Sequence, residues 1–182
     1  MRILFRFNAL ISRMETAAGA SLGLLVAVLI LINVVTRALN NAFYWTDEAA
    51  ITAMVWMAFL GSSFALGNRH LVAVTLLPDA LPAQVRRYIA VATDLAVLAF
   101  ALALLVLNWN WFDPLALARH GFDTKAFAGA TFNFIYSETT NTLGIPKFWL
   151  WLVLPVFSFN ITVNALANLL ERTQSGQERD VR

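Results

Sequence analysis

The side chains of this sequence that could do chemistry are few and far apart. Two histidines stand at positions 70 and 120, and there is no cysteine. The acids nearest to a pattern are Asp47 and Glu48, in the run W-T-D-E. Haem carried inside a helical membrane bundle needs axial ligands on facing helices, and histidine is the usual one. A catalytic zinc needs three protein ligands and a structural zinc four. Neither set is expected here: the topology argued below puts His70 and His120 on opposite sides of the membrane, and there is no His-x-x-x-His and no paired Glu-x-x-His. The lack of cysteine excludes disulfides and thiolate-held clusters. No glycine-rich phosphate loop and no Ser–His–Asp arrangement is legible, so neither an enzymatic activity nor a cofactor is expected.

Composition says where such a chain lives. Of its 182 residues, 59% are hydrophobic and 13% are charged. That balance belongs to membrane proteins, and the length leaves no room for a separate soluble domain of ordinary size. The net charge is +2 and the basic residues are spread along the chain, so nucleic acid is not an expected partner. Membrane lipid is.

The elements that would position these residues are apolar runs of about 20 residues, long enough at 1.5 Å rise to cross a hydrocarbon core of roughly 30 Å. Four are expected, over about 17–36, 46–66, 88–112 and 147–170. They make residues 1–170 a single all-α integral membrane domain of four transmembrane helices. The basic lead-in over 1–13 is expected to lie at the membrane surface as an interfacial segment. The run after it is too long for a signal-peptide core.

In the first span Gly19 and Gly23 have the GxxxG spacing that lets helices approach closely, and Asn33 should face protein. The second span opens at Trp45. Thr46 is its expected N-cap, and Asp47 and Glu48 suit the positive end of the helix dipole. The connection over 67–87 carries Arg69, His70 and a short apolar stretch, Leu71 to Leu77, expected in the interface. Asp94 is expected to be shallow in the third span, which ends on Trp109, Trp111 and Phe112. The 113–146 segment is a long outward loop whose aromatic content argues against disorder. In the fourth span Pro155 is a candidate kink, and Asn160, Asn164 and Asn168 share one face, which suits helix–helix contact. The tail over 171–182 is expected to be without structure.

Four spans place both termini on one side. Nine basic residues fall on that side and four on the other, so the positive-inside rule makes the termini cytoplasmic and the 113–146 loop periplasmic.

The pattern W-T-D-E, a span containing M-V-W-M-A-F-L-G, and a G-N-R-H-L turn resemble the small membrane subunit of tripartite ATP-independent periplasmic (TRAP) transporters, the DctQ type. The likeness is best over Trp45 to Pro82. Trp45 and Glu48 match the Trp and Glu before that family's second helix. Gly61 matches its Phe-Leu-Gly, and His70, after Arg69, matches the His beyond the helix. Val74 and Thr75 occupy the region where the family often has an acid. The 113–146 loop is longer than the family leads one to expect.

The resemblance implies a small permease subunit in the bacterial inner membrane. It would be a fixed scaffold for a large elevator-type permease driven by a sodium gradient. A periplasmic substrate-binding protein would deliver a carboxylate-type solute. Trp45, Glu48, Gly61, Arg69 and His70 are then expected at or near the subunit interface, with Glu48 paired to a donor on the large subunit. The rival readings are a membrane anchor for a redox or other enzyme complex, and a small transporter acting alone.

Overall fold

The computed structural model describes residues 2–67 and 82–180. Four long helices dominate them: α1 (Arg2–Ala38), α2 (Trp45–Gly67), α3 (Ala83–Phe112) and α7 (Val153–Asp180). Three short ones lie between α3 and α7: α4 (Pro114–Arg119), α5 (Thr124–Thr131) and α6 (Phe148–Trp151). Each long helix contains a stretch apolar enough to cross a membrane, giving an all-α, multi-pass membrane fold. Helices are what such sequences must form, since a backbone in lipid has to satisfy its own hydrogen bonds.

The termini of the chain differ from expectation. The basic lead-in is not a separate element but the first turns of α1, which runs unbroken for 37 residues. No proline interrupts it, and at about 55 Å it outreaches the hydrocarbon core. The tail is not structureless as far as Asp180, because α7 continues to that residue. Glu171, Arg172 and Glu178 are good helix formers and carry the helix on where hydropathy has ended. Arg69, His70 and the 71–77 stretch lie outside the described residues.

Packing follows the spacing of inward residues. On α1, Ile11, Glu15, Val26 and Leu29 are buried, three or four residues apart or multiples of it, and this face lies against α2. Helix α7 touches α1, α2 and α3, and α3 packs chiefly on α7. The centre of the bundle is therefore α7, with 39% of its most apolar segment buried against 6% for α3.

Proline explains the break before α7. Pro155 has no N–H to give the carbonyl of Trp151, and the chain leaves the helix at Leu152 between α6 and α7. The indole of Trp56 on α2 donates to the Leu150 carbonyl at 3.1 Å, tying the break to its neighbour.

The 113–146 loop folds into an ordered arm. Phe112, Phe127 and Ile135 form a small core, with Leu117, Tyr136 and Phe148 packed on it. Asp113 and Asp123 cap α4 and α5 by accepting hydrogen bonds from Ala116 N, and from Lys125 N and Ala126 N. The two amides hold the Asp123 carboxyl below the usual carboxylate range.

Candidate functional site

Helix α7 presents its asparagines to its neighbours like rungs. The Asn160 amide donates to Glu15 Oε1 on α1 at 2.9 Å. Asn164 donates to the Ser63 carbonyl at 3.1 Å and to the Ser63 hydroxyl at 3.3 Å, and Asn168 donates to the Leu66 carbonyl at 3.2 Å. Opposite them, Asn108 on α3 donates to the Ser158 hydroxyl at 2.5 Å. Nearer the helix end, Arg172 meets Asp94 at 2.5 Å, with both side chains mostly covered. Polar groups on three helices are thus joined through the fourth. Such bonds fix helix register and spacing in lipid, where an unpaired amide is costly.

Two participants carry information that the sequence did not announce. Glu15 is 4% exposed, and its second oxygen, Oε2, is buried with no hydrogen-bond partner among the described residues. Gly67 lies so close to Asn164 that a Cβ there would sit 2.7 Å from the amide oxygen. That glycine is the close-approach residue of this cluster. Gly19, by contrast, has open space where its Cβ would be, and Gly23 meets only Met57 Sδ, at 3.5 Å. Within the chain the GxxxG pair serves α1–α2 packing through Gly23 alone.

The W-T-D-E segment is tied into the same chain. Helix α2 begins at Trp45, so Thr46 is inside the first turn rather than its N-cap. The Thr46 hydroxyl donates to the Phe43 carbonyl at 2.6 Å and accepts from Asn33 at 2.8 Å. Asn33 also donates to Asp47 at 2.7 Å, and Arg37 bridges to the other Asp47 oxygen at 2.7 Å. The end of α1 is thereby locked to the start of α2.

Glu48 accepts from the backbone amides of Asn141, Thr142 and Leu143 at 2.8–3.0 Å, and from the Thr142 hydroxyl. These four donors from its own chain hold the carboxylate at the start of α2. The 139–146 turn, closed by the Thr139–Pro146 bridge, aims its N–H groups at the start of α2. Trp45 stacks on Phe43 and is 42% exposed, while Gly61 faces open space on the outside of α2.

His120 ends α4 on the arm, and among the described residues no three His, Cys, Asp or Glu side chains converge as metal ligands would. What the arrangement does chemically is hold helices and a turn in fixed relation.

Comparison with known proteins agrees with this architecture. Residues 26–175 match the family described as the DctQ component of tripartite ATP-independent periplasmic transporters. The chain is 30% identical over 93 residues to the C4-dicarboxylate TRAP transporter small permease protein DctQ of Vibrio cholerae, covering 50% of this chain and 40% of that one. It is 29% identical over 90 residues to a protein of Haemophilus influenzae named as a TRAP transporter small permease, covering 49% of this chain and 56% of the other. The alignments span about half the length of these relatives. With 150 consecutive positions inside the family match, the chain belongs to the DctQ family of TRAP transporter small permease components.

Proposed function

We propose that this chain is the static small subunit of a TRAP-type uptake system in the bacterial inner membrane, with both termini cytoplasmic. It stands against a large permease and enlarges the fixed part past which the carrier moves. A periplasmic binding protein delivers the solute, a carboxylate, and a sodium gradient drives uptake. The chain itself has no catalytic task. The single observation carrying this reading is the family match over 26–175. The interior supports it, because the interior polar groups described above are engaged largely in helix-to-helix bonds, as suits a scaffold.

The test is uptake of a C4-dicarboxylate into proteoliposomes holding the large permease and binding protein, with and without this chain. Uptake should need both the chain and an inward sodium gradient. Full uptake without the chain would refute the scaffold role, and uptake by the chain alone would make it a transporter in its own right.

A further inference from the structure

The arm between α3 and α6 has an outer face that its own core does not use. On α4, Leu115 and Arg119 stand one turn apart, both exposed, with Leu115 57% exposed. On α5, Phe127 and Ala128 point into the core. Lys125, Gly129 and the C-cap residue Phe132 follow each other at i, i+4 and i+7, and all are exposed. Each short helix therefore carries one cation and one large apolar side chain on its outer side. The acids that cap them, Asp113 and Asp123, are turned to backbone amides instead. Phe132 is 81% exposed and has φ of 55°, a left-handed backbone that an aromatic residue adopts at a cost.

The height of this face is set by two hydrogen bonds. Asn133 donates from its amide to the Trp111 carbonyl at 2.5 Å, and the Tyr136 hydroxyl donates to the Phe112 carbonyl at 2.7 Å. The 132–136 segment is thus seated on the last turn of α3. Phe132 and Phe134 flank that attachment and line one cavity with Trp111, and Trp109 and Trp111 are both exposed at the end of the span. Tryptophan in that position belongs to the belt at a membrane–water boundary.

From this placement we propose that the arm lies on the membrane surface of its own side as an interfacial anchor. Leu115, Phe132 and Phe134 enter the boundary between headgroups and acyl chains, and Arg119 and Lys125 meet the lipid phosphates. The partner is a lipid surface because the exposed aromatics continue the belt at the end of α3, where the bilayer already borders the chain. Lipid phosphates would offer the two exposed cations an anionic partner on the outward side of the arm. The inference needs the four spans and does not depend on which permease the chain joins.

The chain has no cysteine, so Leu115→Cys and Phe132→Cys each accept a single spin label at a side chain that is already exposed. In nanodiscs of phosphatidylethanolamine and phosphatidylglycerol, oxygen and nickel-chelate accessibilities should place both labels about 5–10 Å into the headgroup–acyl boundary. A label at Leu102→Cys, in mid-span, gives the deep reference. Replacing Arg119 and Lys125 together by Gln should shift both arm labels towards water. Water-like accessibility of both labels in the nanodisc would overturn the proposal. So would burial seen only after the soluble binding protein is added, which would make the arm a protein dock.

Discussion

At the scale of single residues, two contacts separate what packing does from what hydrogen bonding does. Gly67 is placed where any side chain would strike the Asn164 amide. Overpacking of this kind costs about 1–3 kcal/mol. An interhelical hydrogen bond in a membrane protein contributes about 0.6 kcal/mol on average and at most about 1.7. Gly67→Ala should therefore lower unfolding stability in detergent more than Asn164→Ala does. Equal effects, or a neutral Gly67→Ala, would mean that the helices are not held this close. Glu48 offers a second case. In Glu48→Gln the charge that draws three backbone amides is gone, so hydrogen exchange at Asn141, Thr142 and Leu143 should speed up while the chain still inserts. Unchanged exchange there would show that the carboxylate does not hold the turn. The sequence made Glu48 visible as a helix-start acid beside Trp45, but its donors lie 93–95 positions away, beyond the reach of any local pattern.

At the scale of elements, α3 depends on α7 for its place, and the Asp94–Arg172 pair is the clasp at one end. The side chains are 15% and 26% exposed, which puts the pair between a surface bridge and a buried one. Asp94→Asn should cost about 1–3 kcal/mol, and a charge swap of both residues should recover part of it. Full additivity in that double-mutant cycle would mean no coupling. On the arm, α5 starts from the Asp123 cap, whose carboxyl lies below its ordinary range in the folded chain. A depressed folded value means that the cap contributes fully above the unfolded value of about 3.9 and is lost as pH falls through the folded one. Amide exchange over 124–131, corrected for intrinsic rates, should be protected at neutral pH and lose protection only in that acidic window. The four spans were legible because bilayer thickness dictates their length. Their ends were not, since α1 and α7 run as helix past the apolar region, where hydropathy gives no signal. The asparagine face of α7 was legible from its spacing of four. Glu15 was not, because it stands just before the uncharged run and its partner Asn160 is 145 residues away.

At the scale of the whole molecule, the bundle is centred on α7 and leaves long apolar faces of α1, α2 and α3 uncovered. Lipid covers such faces in any membrane protein, but a family member built as a scaffold needs a protein against one of them. The proposed small-subunit role thus makes a claim about assembly that no property of the isolated chain can replace. Co-purification from membranes decides it most directly: this chain, tagged and expressed with the large permease of its own system, extracted in mild detergent and sized by mass. The expected result is a stable complex of the two membrane subunits. Recovery of this chain free of the permease, or bound instead to redox-enzyme subunits with a haem absorbance band, would contradict it.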